Sequence, residues 1–310
     1  MSDCVFSVVI IVYNQKEFIG ATIDSILSQK HDYSFEIVIG DDCSIDGTRS
    51  LLIEYKRKNP NIIQLLLNDE NMGITGNYYN VLRHCHGKYI MQCAGDDYWL
   101  PGKVALQIPL MENDHDIGMC YSKVRNIYSN KRIIEKKTWG GPFTTFDELL
   151  TRNVVPAVTM AFRSEYLNRY IGEVKPEEQN WLIEDYPEVL WFSLNSKVVF
   201  INEITAAYRV VSNSAVHTSN ALKIEKMNAS TRDIKLFFIG FTDGNREIDK
   251  IEEDYNRSLF AFYFWNDRQL AIKCYSTIAK PARKDILKCF ICRVPPLWNL
   301  MLLLSILINR

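Results

Sequence analysis

The hydrophobic pattern of this 310-residue chain predicts an α/β fold: a mainly parallel central sheet flanked by helices, followed by a helical C-terminal extension. Three features carry that prediction. The opening run Phe6–Val12 is continuously apolar and β-branched, as suits a strand buried on both faces of a parallel sheet. From there to about residue 95 strand-like and helix-like segments alternate. Polar clusters sit where the strands end: Tyr13-Asn14, Asp41-Asp42, Asn71 and Asp96-Asp97. In open α/β sheets those carboxyl ends are where ligands bind.

The elements follow in order. After the first strand, Asn14 precedes Glu17 by three residues, a capping-box spacing, and Phe18, Ile19, Thr22, Ile23, Ile26 and Leu27 recur at helical intervals. Phe35–Ile39 is a second strand that ends in the turn-rich Gly40–Gly47. A helix over Thr48–Lys58 stops before Pro60. Ile62–Leu67 is a third strand, a helix is expected near Asn77–His84, and Lys88–Cys93 is a fourth strand. Beyond it the pattern is less regular. Strands are expected over Asp116–Val124, Val158–Phe162 and Val198–Asn202. A basic hairpin-like stretch covers Lys131–Lys137, and helices cover Phe146–Leu150 and Trp181–Leu194. Residues Asn220 to Ala279 look helical around an aromatic core of Phe237, Phe238, Phe241, Phe260, Phe262, Phe264 and Trp265, and the character changes near residue 215.

Composition narrows the function classes. With 36 basic and 37 acidic residues the net charge is -1, which disfavours bulk nucleic-acid binding. At 47% hydrophobic and 24% charged the chain is neither disordered nor fibrous. Its 8 Cys are scattered in a long chain and read as reduced thiols of a cytoplasmic protein rather than a disulfide framework. The one C-x-x-C, Cys289 and Cys292, has no second ligand pair after it, so buried thiols are expected there rather than a zinc site. Met1-Ser2-Asp3 shows no cationic start or cleavage site, so no signal peptide is expected. No run reaches the roughly 18–20 apolar residues of a membrane span.

The chemistry-bearing clusters are acidic. Asp96-Asp97 follows a strand, and adjacent carboxylates there repel unless a cation or donors compensate. The alternative is a turn with a helix cap at Pro101. Asp41-Asp42-x-Ser44-x-Asp46-Gly47 could accept from a ribose hydroxyl or a base N–H. Ser44 and Asp46 are equally explained as caps of the following helix. Glu184-Asp185, set among Trp181, Leu182, Ile183 and Tyr186, suits a tuned general base, or else ordinary acids at a helix start. Arg209 could clamp a phosphate and His217 could ligate a metal, or both sit on a charged rim. A G-x-x-x-x-G-K-[ST] loop and a G-x-G-x-x-G turn are both missing, which argues against P-loop and dinucleotide-binding enzymes.

Together these residues resemble family 2 glycosyltransferases of the GT-A (nucleotide-diphospho-sugar transferase) fold, of the bacterial surface-polysaccharide type. The similarity runs over residues 5–220. Its landmarks are Phe6–Asn14, Glu36–Thr48, Asn71-Met72-Gly73, Gly87–Ile90, Cys93–Trp99, Val155–Arg163, Glu184–Pro187 and Ile201–Arg209. The segment Cys93–Trp99 looks like the family's version of its metal-binding acidic motif.

The resemblance implies an inverting transferase that uses a nucleotide-diphosphate sugar, with UDP as the expected nucleotide. It implies that Asp42, with Asp41, holds the uracil or ribose. Ile11 (through its backbone), Tyr13, Asn14, Asn71 and Gly73 would add donor contacts. Asp96 would bind ribose and Asp97 a Mg²⁺ or Mn²⁺ on the diphosphate, with His217 a second candidate ligand. Asp185 would be the base that deprotonates the acceptor hydroxyl, and Trp99, Glu184 and Arg209 would face acceptor or phosphate. Residues 1–218 would then be the transferase domain, with a nucleotide half to about 97 and an acceptor half over 98–218, and residues 219–310 a helical region. The implied acceptor is a glycan, often lipid-diphosphate-linked, at the cytoplasmic face of a membrane.

The tail adds to that expectation. Residues 280–293 carry Lys280, Arg283, Lys284, Lys288 and Arg293 against Asp285 alone, and Leu297–Ile308 is almost wholly apolar. That suits docking on an anionic membrane surface; a helix packed on the core is the alternative. Three rivals to a transferase remain. A sugar nucleotidyltransferase would carry a Gly-rich basic loop where Val12-Tyr13-Asn14-Gln15 stands. A phospho-acceptor module would be smaller and would leave Glu184-Asp185 and the tail unexplained. An inactive carbohydrate-binding relative is disfavoured by Asp42, Asp97 and Asp185.

Overall fold

The computed structural model describes residues 4–128, 131–211, 220–242 and 248–308, with the side chains of all of these except 131–137 and 305–308. The chain divides into two compact units, Met1–His217 and Thr218–Arg310. In the first, β1 (Phe6–Val12), α1 (Lys16–Leu27), β2 (Phe35–Asp41), α2 (Thr48–Lys58), β3 (Ile63–Leu67), α3 (Gly73–Leu82) and β4 (Tyr89–Ala94) alternate as the sequence predicts. Then come β5 (Tyr98–Trp99), α4 (Lys103–Asn113), the hairpin β6 (Ile117–Tyr128) and β7 (Lys131–Trp139), α5 (Phe146–Thr151) and β8 (Ala161–Arg163). The unit closes with α6 (Ser164–Val174), α7 (Asp185–Asn195) and β9 (Lys197–Val210).

Among the described residues these strands form one nine-stranded sheet, ordered β3-β2-β1-β4-β8-β6-β9-β5 with β7 beside β6. Its first four strands are mutually parallel where they pair. β8, β5 and β7 join antiparallel, whereas β9 runs parallel to β6, so the half built after residue 95 is mixed. Strand alternation separates the two faces. Phe6, Val8, Ile10 and Val12 share one core with Ile19, Ile23 and Ile26 of α1, Leu52 of α2 and Val104, Ile108 and Met111 of α4. The opposite face meets α3 and α7. A side chain on Gly40 would strike Asn77 and Val81 of α3, and Gln92 donates to Glu188 of α7 at 2.9 Å.

Several boundaries move for identifiable reasons. Gln15, not Asn14, is the N-cap of α1, and its side chain makes no cap bond; Asn14 instead turns left-handed at φ 52. α3 starts four residues before the expected Asn77, because the Asp42 carboxylate takes the amides of Met72 and Gly73. α7 starts at Asp185 rather than Trp181. Asn180 is left-handed at φ 55, and Trp181, 7% exposed, owes its apolar character to burial. Helices α4 and α6 fall where the sequence pattern predicted no helix.

The second unit holds α8 (Ala221–Ile239), α9 (Ile248–Asn266), α10 (Arg268–Tyr275), α11 (Arg283–Arg293) and α12 (Pro295–Ile308). Its core gathers Leu259, Phe260, Tyr263 and Phe264 of α9 with Ala271 of α10 and Cys289 and Cys292 of α11. The C-x-x-C pair is thus one helical turn of buried thiols, as expected. No single helix among the described residues is long and apolar enough to cross a membrane.

Candidate active site

Sheet register brings the predicted polar clusters to one edge. Val12 pairs with Asp41, and Ile11 pairs with Gly40 on one side and Ala94 on the other. The bonds continue past the strands: Asp42 N donates to Val12 O at 2.9 Å and Gly95 N to Ile11 O at 3.1 Å. The loops 13–15, 42–47 and 95–98 are therefore neighbours at the carboxyl edge, and Ile11 takes part through its backbone carbonyl. Tyr13, 48% exposed, stands at this edge.

The β2–α2 loop ties the edge together. Ser44 Oγ accepts from Asn14 N at 2.9 Å, Thr48 Oγ1 from Gln15 N at 2.9 Å and Asp46 Oδ2 from Lys16 N at 3.0 Å. Asp46 Oδ1 also accepts from Thr48 N at 2.9 Å. The first amide of α1, at Lys16, and the two amides that precede the helix are thus satisfied from a neighbouring loop. Asn14 Oδ1 returns a bond by accepting from Ile45 N at 2.9 Å.

Asp41 and Asp42 have different surroundings. Asp41 is fully buried; its Oδ2 accepts from Arg49 Nε at 2.7 Å, while Oδ1 has no partner among the described residues. Asp42 commits both oxygens: Oδ1 to Asn68 Nδ2 at 3.1 Å and Met72 N at 2.8 Å, Oδ2 to Gly73 N at 2.9 Å. Asn71 Nδ2 reaches the Asp42 carbonyl at 3.3 Å. Asp42 is therefore the acceptor that shapes the Asn71–Gly73 turn.

The Asp96–Asp97 turn is held from both sides. Thr22 Oγ1 of α1 donates to Asp97 O at 2.6 Å, and Arg209 N donates to Asp97 Oδ1 at 2.7 Å. Arg209 Nε donates to Asp96 O at 2.8 Å, and its guanidinium lies 4.6 Å over the Phe18 ring. Burial pushes both carboxyls up. Asp97 rises well above the carboxylate range because the charge on Asp96 adds to its burial, and Arg209 offsets part of this. The described residues gather no group of three acid, His or Cys side chains able to cage a metal. Two under-compensated carboxylates suit a hard cation whose remaining ligands are phosphate oxygens, one that arrives with its substrate. His217 lies outside the described residues.

The third acid cluster stands at the start of α7. Burial pushes Glu184 and Asp185 up, with the Asp185 charge adding to the effect on Glu184, and the Tyr186 amide pulls Asp185 back. Tyr208, next to Arg209, is pushed up to about 12 by burial and then by Asp97, Asp96 and Asp185, so its phenol lies within the field of all three acids. The sequence reading singles out Arg209 and not Tyr208, since a tyrosine carries no signal of its surroundings.

A buried triad was not anticipated at all. Glu188 is fully buried; its Oε1 accepts from Tyr78 of α3 at 2.9 Å and its Oε2 from Gln92 of β4 at 2.9 Å, and Gln92 also donates to the Tyr78 phenol. It ties the helix begun by Asp185 to the strand that leads to Asp96 and to the helix begun at Gly73. Trp99 is a correction. Expected at the acceptor, it is 2% exposed in the core, its indole donating to Gln92 O at 3.2 Å and the Lys103 ammonium 5.2 Å over its ring.

The profile of the family described as Glycosyl transferase family 2 matches residues 7–171. WfaP of Escherichia coli, named a UDP-Glc:alpha-D-GlcNAc-diphosphoundecaprenol beta-1,3-glucosyltransferase, is 31% identical over 244 residues, covering 75% of this chain and 91% of that protein. The chain spans about half the length of mycobacterial relatives that are 30% identical to it over 163 residues. Among solved structures, residues 1–349 of Staphylococcus aureus TarS in complex with UDP-GlcNAc align with TM-score 0.56 at 15% identity, over 94% of this chain and 88% of that one. The mannosyltransferase PcManGT of Pyrobaculum calidifontis, in complex with GDP-Man and Mn²⁺, aligns with TM-score 0.56 at 15% identity, over 96% and 86%. These similarities are of fold, the GT-A glycosyltransferase fold. Since the profile covers more than half of the residues, from β1 into α6, the chain belongs to glycosyl transferase family 2.

Proposed function

We propose that this chain transfers a sugar, with inversion, from a nucleotide-diphosphate donor to a hydroxyl of a glycan acceptor in surface-polysaccharide assembly. The observation that carries the proposal is the Asp96–Asp97 turn, held by Arg209 N at 2.7 Å and Arg209 Nε at 2.8 Å, beside the sheet edge that bears Asp41 and Asp42. The donor's nucleoside lies against Tyr13, Asn14 and the Asn71–Gly73 turn. Asp41 offers an unpartnered oxygen there, and Asp42 holds the turn in shape. Asp96 takes the ribose. Asp97 would hold a Mg²⁺ or Mn²⁺, which would supply charge neutralisation for the departing diphosphate. Arg209 adds a fixed positive charge beside that leaving group.

Asp185 is the base. A sugar hydroxyl is a poor nucleophile until a carboxylate takes its proton in the transition state. Burial that raises Asp185 brings its proton affinity closer to that task. Glu184 beside it shares the acceptor side. A hydroxyl approaching from Asp185 meets the anomeric carbon opposite the diphosphate, hence inversion. The name of WfaP supports a UDP donor and a diphosphoundecaprenol-linked acceptor, and PcManGT with Mn²⁺ supports the cation.

The test is a thermal-shift screen of nucleotides and nucleotide sugars with and without Mn²⁺. A ligand of the native state raises the melting temperature, by about 5 °C or more near saturation. Stabilisation by UDP or a UDP-sugar that needs the metal is expected. The absence of stabilisation by nucleotides of every base would remove the donor site and the proposal with it.

A further inference from the structure

Helix α11 distributes its charge unevenly. Its single acid, Asp285, is buried, pairs with Arg257 and accepts from the Ala282 amide at 2.9 Å. Cys289 and Cys292 are sealed into the core with Phe260 and Phe264. The outward side carries Ile286, Leu287 and Phe290, 51%, 60% and 56% exposed, which fall within an arc of about 100° on a helical wheel. Arg283 lies inside that arc, Arg293 about 20° outside one margin and Lys284 about 60° outside the other, and all three are exposed. After Pro295 the apolar surface continues on α12 with exposed Leu297, Leu300, Leu303 and Leu304. One exposed leucine needs no explanation; seven large apolar side chains on two consecutive helices do.

We propose that this outward face of α11 and α12 is a membrane-docking surface that lies in the headgroup region of an anionic bilayer. Charge selects the occupant. From residue 280 to 304 the exposed cations are Lys280, Arg283, Lys284 and Arg293, while Lys288 is half-buried over the Phe264 ring and the one acid, Asp285, is buried. A second copy of the chain would set these cations against their own kind, whereas anionic headgroups meet them while the apolar arc enters the acyl boundary. Lying in the surface rather than spanning it follows from the break between the helices, a bend of 111° that no straight span tolerates. The proposal stands on these helix faces and not on the transferase reading.

The experiment is co-sedimentation of the full chain with phosphatidylcholine vesicles, with and without phosphatidylglycerol, at low and high salt. Binding to the anionic vesicles is expected, weaker by about tenfold or more on neutral ones and weakened by salt. Leu287→Glu with Phe290→Glu should lose about tenfold or more of that binding, since two apolar anchors become repelled charges. Arg283→Glu with Lys284→Glu should weaken it through charge alone. Both pairs replace exposed side chains, and an unchanged melting temperature and unchanged nucleotide stabilisation show that the fold and donor site are intact. Wild-type protein that stays in the supernatant with anionic vesicles overturns the proposal. So do variants that sediment like the wild type, and a wild-type dimer that becomes monomeric in the Leu287→Glu, Phe290→Glu variant without any vesicle binding.

Discussion

At the residue scale, the two proposed roles separate experimentally. Asp185→Asn keeps the shape of the side chain and removes the base, so the transfer rate should fall about 10²–10⁴-fold while donor stabilisation persists. Asp97→Ala should instead abolish metal-dependent donor stabilisation. An Asp185→Asn enzyme at the wild-type rate would move the base to Glu184. Because burial pushes Asp185 up to about 6, the wild-type rate should fall as pH drops through that value rather than through the ordinary carboxylate range near ~4. The limb reports the Glu184–Asp185 pair, since adjacent acids titrate jointly.

Lys103 makes a separate claim about stability. It is fully buried, donates to Gln107 Oε1 at 2.6 Å and Thr159 O at 2.9 Å, and burial lowers it to about 7. Its unfolded value is near ~10.4, so between those limits the unfolded chain binds more protons than the native one. Its contribution is complete above the unfolded value and is lost as pH falls toward 7, with a slope of up to about 1.4 kcal/mol per pH unit. Lys103→Met removes that slope. Urea unfolding should therefore find the variant less stable relative to wild type at pH 9 than at pH 6, and a pH-independent difference would contradict a buried titrating ammonium.

At the scale of elements, the start of a helix here is decided by another loop. Asp46 serves α1 through Lys16 and α2 through Thr48 at once. Asp46→Ala should destabilise the chain by about 2 kcal/mol, since a lost cap costs ~0.5–2 kcal/mol and two helix starts share this one. Asp46→Asn keeps an acceptor and should recover most of it, and Ile45→Ser, at an 86%-exposed neighbour, should be silent. Chemical denaturation of the three variants checks the ranking. Asp42 likewise carries α3 through the Met72 and Gly73 amides, which is why the helix begins at Gly73. Single-sequence pattern found α1, α2, β1, β2 and β3 within a residue or two, because an apolar run, a helical apolar period or a following proline marks each. It missed α4, where Pro109 stands inside the helix and Lys103 and Gln107 lie on its buried face, and it missed α6 although Leu167, Tyr170 and Val174 recur there at helical intervals.

At the scale of the whole molecule, the two units have separate cores. Phe260→Ala hollows only the second core, and truncation of a buried aromatic costs about 3–5 kcal/mol. Calorimetry should find the transition of the C-terminal unit lowered. UDP with Mn²⁺ should still raise the transition of the unit that carries Asp41, Asp97 and Asp185. Loss of nucleotide stabilisation in Phe260→Ala would mean that the donor site is not confined to the first unit.

The sequence by itself determined the class of fold, the order of its first seven elements and the loops that carry the acids. Each of these is local: a period of apolar residues, a strand end, a cluster of like charges. What the tertiary structure decided is relational. That Asp41 is half-partnered and Asp42 fully committed depends on Arg49, Asn68 and the turn at Gly73. That Trp99 is core rather than site depends on the packing of β5 against β9 and Lys103. That Arg209 holds the Asp96–Asp97 turn, and that Glu188 joins α3, β4 and α7, depends on strands and helices up to 113 residues apart in the chain. Burial and the partner of a polar group are properties of where distant segments meet, and no local pattern encodes them.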